Sequence, residues 1–157
     1  MSDPSKVESQ ALSSFLETSR VRLERALVAR FGIEDGLEAS AAAVEYAIEF
    51  WDRVAKMDNP AGYLYRVGET HGRRNTQRRM RQVQLVVESS VHDEPVDLDL
   101  QRALLKLDSL QRVAVVLVHA HGHTYIEAAE ILDVPVSTFN NHLHRGLSQL
   151  RRELEQQ

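Results

Sequence analysis

Hydrophobic positions in the first third of the chain recur at helical rather than strand spacing. Leu12, Phe15, Leu16, Leu23, Leu27 and Phe31 fall on one helical stripe, and Gly32 supplies a stop. A second helix is predicted from about Leu37 to Lys56, with Val44, Ile48, Trp51 and Ala55 on its apolar stripe. Glu45, Glu49 and Asp52 form a polar face beside that stripe, suited to a partner helix. Asn59 then suits an N-cap and Pro60 a first helical position, where the missing N–H costs nothing. The third helix carries Tyr63, Leu64 and Val67 and runs into an arginine-rich stretch ending near Gln82. Gly68 and Gly72 would each cost this helix up to about 1 kcal/mol relative to alanine. They either admit close approach of another helix or of DNA, or simply loosen the helix.

Periodicity is lost over 83–97, which contains Pro95 and a run of acids and reads as a linker. The expected organisation is two units, 8–82 and 98–157. The second resumes with Leu100, Ala103, Leu104 and Leu107, and Asp108-Ser109 breaks and recaps the chain. The run from Val113 to Val118 has strand-like composition, and so short a run has no decisive period. Its neighbours are all helical and no partner strand is visible, which favours helix.

The segment from Thr124 to Leu154 is the most informative. Thr124 and Glu127 stand at capping-box spacing, and the helix they open carries Ile126, Ala129 and Leu132. A four-residue turn, Asp133 to Val136, follows, with Asp133 where a left-handed residue is needed. Ser137 is the expected cap of a last helix carrying Phe139, Leu143, Leu147, Leu150 and Leu154. Two short helices crossing steeply need small residues at the contact, which Ala128 and Ala129 supply. Phe139 and Leu143 would bury the inner face, leaving Thr138, Asn140, Asn141, His144 and Arg145 outward. In a helix-turn-helix those positions enter the major groove, where asparagine can pair with adenine and arginine with guanine. Ser137, near the helix N-terminus, suits phosphate.

Composition narrows the classes. The chain has 157 residues, 43% of them hydrophobic and 27% charged, ordinary for a globular protein. With no cysteine, disulfides, Cys-ligated zinc and thiol catalysis are excluded. No apolar run reaches the ~18–20 residues that span a bilayer, and the first residues lack a signal-peptide pattern. Membrane insertion is not expected, and a cytoplasmic protein is the simplest reading. The net charge of −4 argues at first against nucleic acid, but the charges are segregated. Six arginines lie between Arg66 and Arg81 against one acid, Glu69, whereas Val83 to Asp99 holds five acids and no lysine or arginine. Like charges three or four residues apart repel, and the scarcity of acid nearby favours an anionic partner.

The residues together resemble a known family. Leu110-Gln111-Arg112, Thr124 to Leu132, Val136 to Phe139 and Leu150 to Leu154 are similar to the promoter-recognition domain, region 4, of extracytoplasmic-function (ECF) sigma factors. Glu45, Phe50-Trp51-Asp52-Arg53, and Asn59 to Val67 running into Arg78-Arg79-Met80-Arg81 resemble their region 2. The resemblance spans roughly 12–154 and implies an all-α fold of two small helical domains joined by an acidic linker. It further implies a transcription initiation factor whose first domain binds core RNA polymerase and the minus-ten element and whose second reads the minus-thirty-five element of promoter DNA. The polymerase contact would then fall on Glu45, Ile48, Glu49 and Asp52. The basic helix would present Arg73, Arg74, Arg78, Arg79 and Arg81 to DNA, and the recognition helix Ser137, Thr138, Asn140, Asn141, His144 and Arg145. An anti-sigma protein is a further implied partner.

Several positions depart from the family pattern. An acidic stretch at the start of the clamp-binding helix is reduced to one acid in Glu38-Ala39-Ser40-Ala41, and Val44 and Ala47 replace a glutamine and an aromatic. Glu69-Thr70 stands for an Arg-Asn pair, Arg74 for an acid, and Asn140-Asn141-His142 for Lys-Ser-Arg. The same residues therefore also admit a helix-turn-helix regulator acting without polymerase, or an interaction decoy for an anti-sigma protein.

Other features carry less. His119, His121 and His123 alternate, so on a helix they share no face, and no metal site is expected of them. Trp51 is expected in the core, whereas Tyr65 suits core packing and base stacking equally. No phosphate-cradling glycine loop, nucleophile with a partner base, or other catalytic constellation is present, so neither an enzyme nor a cofactor is expected.

Overall fold

The structure, a computed structural model, describes residues 3–79 and 97–156, with backbone alone over 76–79. Among the described residues every regular element is helical. In the first half α1 spans Pro4–Phe31, α2 Ile33–Glu49, α3 Trp51–Val54 and α4 Pro60–Arg79. In the second, α5 spans Leu98–Lys106, α6 Ser109–Val115, α7 Tyr125–Leu132 and α8 Val136–Glu155. The run of valines is helical, as its neighbours suggested, and α6 ends in a wider π-type turn over Val116–Ala120.

Local chemistry sets the ends. Gly32 turns the chain between α1 and α2 with φ of 88°, a left-handed value that a side chain would resist. Asn59 caps α4, its Oδ1 accepting from the Gly62 amide at 2.9 Å. Asp97 and Asp108 cap α5 and α6 through their carboxylates. The expected linker over 83–97 lies, but for Asp97, outside the described residues.

The second helix differs from its expected form. It begins at Ile33 and breaks at Phe50, so Trp51 to Val54 form a separate turn. Its buried face is Gly36, Ala39, Ser40, Ala43 and Ala47, while Ile48 is 59% exposed and Ala55 also faces outward. A stripe chosen by hydrophobicity was overruled by size: small residues at i, i+3, i+4 and i+7 let α1 and α4 approach closely on that side. Trp51 packs on the edge of the core, its ring 5.3 Å from that of Phe15. Gly68 and Gly72 likewise mark helix contacts: a Cβ at Gly68 would lie 2.6 Å from Leu27 Cδ1, and one at Gly72 2.5 Å from the Phe31 ring. Tyr65 is 2% exposed and belongs to the core, where burial pushes its phenol up to about 12.

The two halves touch. Buried residues of both, from Leu23 and Leu27 to Phe139 and Leu143, belong to one apolar cluster. Polar bonds reinforce the contact. Arg112, 7% exposed, donates from Nε to the Ala29 carbonyl and from a terminal nitrogen to the Arg30 carbonyl, both at 2.9 Å. These carbonyls belong to the last turn of α1, which has no intrahelical donor for them. A buried cation there is met by the negative end of the helix.

Candidate nucleic-acid interface

The helix-turn-helix is built from α7 and α8. Thr124 Oγ1 accepts from the Glu127 amide at 3.2 Å, and Glu127 Oε2 accepts from the Thr124 amide at 3.0 Å. This reciprocal pair satisfies two amides that the first turn leaves without partners. The Thr124 amide is also the chief reason the Glu127 carboxyl titrates below its ordinary range. Ala128 and Ala129 are buried at the contact, as two closely crossing helices require. Asp133 adopts the left-handed conformation, φ 53° and ψ 47°, and the Val134 amide returns to the Ala129 carbonyl at 3.1 Å.

One capping expectation fails. The last helix starts at Val136 after Pro135, and Ser137 makes no cap. Proline's fixed φ already directs the chain into the helix, so Ser137 falls inside the first turn with its hydroxyl outward.

The orientation of α8 follows its apolar spacing. Phe139 and Leu143 are fully buried. Ser137, Asn141, His144 and Arg145 are exposed, whereas Thr138 and Asn140 are half-buried, and the Asn140 Oδ1 is enclosed without a hydrogen-bond partner. Behind this face Gly146 lets α6 and α8 close together: a Cβ there would sit 3.0 Å from the Gln111 carbonyl. The acids of α8, Glu153 and Glu155, are confined to its last turn, and Glu153 is held by Lys106 at 2.7 Å. Arg145, Arg151 and Arg152 are exposed. A cleft of about 330 Å³ between Gln111 and the side of α8 is lined by His144, Arg145, Ser148 and Arg152.

The basic helix is only partly open to an anion. Arg74 is exposed, but Arg73 is paired with Glu69 at 2.7 Å and Arg66 with Asp133 of the other half. The expected scarcity of acid is thus corrected in two places, once by Glu69 from within the helix and once by a residue far along the chain. The side chains of Arg78 and Arg79, and Arg81 altogether, lie outside the described residues. Glu45, Ile48, Glu49 and Asp52 are all exposed near the end of α2 and on α3. Beside them a shallow groove of about 360 Å³ between α1 and α2 is lined by Arg20, Glu24, Leu37, Val44 and Glu45.

The histidines do not converge. His119 is exposed, the rings of His121 and His123 are 6.5 Å apart, and among the described residues no three potential ligands form a metal group. His123 lies instead between Glu127, at 3.7 Å, and Arg25 of the first half, at 3.5 Å. Sequence reasoning missed the part played by Arg112. The available signal was a lone cation at the head of an apolar run, which needs a buried set of acceptors.

Comparison with known proteins agrees with this geometry. Residues 97–150 match the family described as sigma-70, region 4. Over 55 residues the chain is 38% identical to the ECF RNA polymerase sigma factor SigW of Bacillus subtilis (strain 168), a match covering 35% of this chain and 29% of that protein. The chain thus spans less than a third of the length of that curated relative. The fold is similar to that of the sigma factor RpoE, solved in complex with the anti-sigma factor NepR from Bartonella quintana. That likeness has a TM-score of 0.64 at 18% identity and covers 93% of this chain and 98% of the other. Residues 97–150 thus carry a helix-turn-helix similar to sigma-70 region 4, and the chain as a whole shares the helical fold of a solved sigma factor.

Proposed function

We propose that this protein binds core RNA polymerase in the cytoplasm and directs it to a specific promoter. The observation that carries this reading is the polar, exposed face of α8 formed by Asn141, His144 and Arg145, held outward by the burial of Phe139 and Leu143. Such a face can enter a major groove, with Arg145 and Asn141 reading base edges and Ser137 taking a phosphate. Thr138 and Asn140, half-buried, flank these contacts. In this reading 8–82 and 98–157 act as two domains joined by the acidic linker over 83–97.

The first domain meets polymerase through Glu45, Ile48, Glu49 and Asp52, a mixed apolar and acidic surface of the kind a basic helical partner covers. Arg73, Arg74, Arg78, Arg79 and Arg81 take the phosphates of the minus-ten element. The fold likeness to a sigma factor solved with an anti-sigma factor supports a similar inhibitory partner here.

Reconstitution tests the proposal. Core polymerase mixed with the purified chain should yield a run-off transcript from a cognate promoter, and the two should co-elute in gel filtration. Sequence-specific DNA binding with no polymerase association would establish a regulator acting alone. Association with polymerase or an anti-sigma protein but no DNA affinity would establish a decoy.

A further inference from the structure

We propose that His123 makes the hold between the two halves acid-sensitive: its neutral ring accepts a hydrogen bond from Arg25 across the seam, and a proton on that ring turns the bond into a repulsion. His123 sits where the chain enters α7. Gly122, with a left-handed φ of 68°, swings the backbone there, and the His123 amide donates to the Leu117 carbonyl at 3.0 Å. Only 12% of the His123 side chain is exposed. Its Nε2 lies 3.5 Å from a terminal nitrogen of Arg25 on α1, and its Nδ1 lies 3.7 Å from Glu127 Oε2 on α7. Arginine offers donors alone and stays charged at every relevant pH. Nε2 is therefore the bare, accepting nitrogen, and Nδ1 carries the N–H that the Glu127 carboxylate faces.

A second proton has one place to go, Nε2. There it removes the acceptor and sets two cations against each other. The other charges around the ring do not cancel this. Arg22, also on α1, adds positive charge, although it reaches Glu130 at 3.8 Å. Glu127 attracts the proton, but its side chain is 46% exposed and its Oε2 already accepts from the Thr124 amide at 3.0 Å, so water and the cap share its charge. The His121 ring, 6.5 Å away, can add only positive charge as it titrates. α4 packs at the far end of α7, where its Arg66 is turned to Asp133. Burial foremost, and Arg25 next, hold the His123 ring below its ordinary value of about 6.5. A ring released from the seam regains its ordinary affinity for protons, so acid favours parted halves. The hold is complete above about pH 6.5 and weakens as the pH falls, by at most about tenfold per pH unit until the lowered value is passed. Arg112, which ties the same seam through two carbonyls, keeps its charge throughout this range.

The chain has no cysteine, so a dye pair can be placed through Lys56→Cys and Glu155→Cys, exposed positions in opposite halves. Energy transfer and helicity, by circular dichroism, are then followed in urea at two pH values. Between pH 7.5 and 5.5 the balance of joined and parted halves should shift about three- to tenfold toward parting. At pH 5.5 energy transfer should be lost at lower urea than helicity. His123→Gln keeps an uncharged acceptor for Arg25, and it should remove most of this pH dependence. In a proton NMR titration of the whole chain, His123 should titrate below the ordinary value, and Arg25→Met should raise its midpoint. Equal pH dependence in the parent and in His123→Gln overturns the proposal. So does a His123 ring that titrates at or above the ordinary value, or one that ignores Arg25→Met. Loss of energy transfer and helicity together at pH 5.5 overturns it as well. Should His123→Gln part the halves even at pH 7.5, the NMR titrations of the parent and of Arg25→Met decide. None of these measurements involves DNA or polymerase, so a failed run-off assay would sink the promoter-directing role and leave the acid response decided separately.

Discussion

Phe139→Ala should destabilise the second half by about 3–5 kcal/mol, the usual cost of emptying a buried aromatic site. Phe139 is fully buried at the centre of the helix-turn-helix, with the Tyr125 ring 5.9 Å away. It performs two tasks. It supplies apolar area to a small core, and it fixes the rotation of α8 so that Asn141 and Arg145 face outward. A cavity there removes the contact that α7 and α8 share, and the alanines at the crossing are too small to fill it. At about 2–4 °C per kcal/mol for a chain of this size, the midpoint should fall by roughly 10 °C. Duplex affinity should fall with it, even below the new midpoint, because a loosely held α8 must be ordered on binding. Thermal denaturation followed by circular dichroism, beside a binding titration at low temperature, checks both parts. A shift under about 1 kcal/mol would mean that Phe139 is not an anchor of the motif.

Gly36→Ala should destabilise the first half, by a smaller amount. Gly36 is buried where α2 crosses α1, and an added Cβ would lie 2.5 Å from Val28 Cα, 2.7 Å from Val28 N and 2.8 Å from the Leu27 carbonyl. All three are backbone atoms, so no rotamer change relieves the clash and the helices must separate. Alanine in place of glycine gains about 1 kcal/mol of helix propensity. Overpacking of this kind costs typically 1–3 kcal/mol and sometimes more, and a backbone collision belongs at the upper end. A net loss of about 2 kcal/mol is expected in denaturant titration. Gly72→Ala is the control. The three atoms nearest its Cβ all belong to the Phe31 ring rather than to backbone, so a side-chain shift can relieve the contact and its loss should be clearly smaller. Equal losses at the two sites would show that the α1–α2 crossing is looser than its geometry implies.

How far the fold could be read from sequence depended on what kind of interaction fixed each element. Where a local rule decides, the reading was close. The Thr124 and Glu127 box, the left-handed Asp133 and the caps at Asn59 and Asp108 are settled by residues within four positions of one another, and they fold as their chemistry dictates. Hydrophobicity was a poorer guide on α2. There the buried face is made of alanine, serine and glycine, and Ile48 lies outside, because close packing selects for small volume as strongly as for apolarity. Ser137 shows the same limit at one residue: the preceding proline shifted the start of α8 and removed the need for a cap.

The candidate site divides in the same way. The orientation of Asn141, His144 and Arg145 follows from Phe139 and Leu143, four residues apart, and was legible in the spacing. The occupancy of Arg66 by Asp133 and the capture of the α1 terminus by Arg112 join residues 67 and more than 80 positions apart. No periodicity encodes them, although an unexplained arginine in an apolar run and an acid in a tight turn were both present to be noticed.

The most direct test of a base-reading α8 is a pair of affinities measured on the same proteins. Parent, Asn141→Ala and Arg145→Ala chains are titrated with a duplex selected from a random pool and with a scrambled duplex, at one salt concentration. A base-reading role predicts that each substitution weakens the selected duplex by about 1–3 kcal/mol more than the scrambled one. Equal weakening on both duplexes would show that α8 only grips phosphate, and the assignment of promoter recognition to this helix would be wrong.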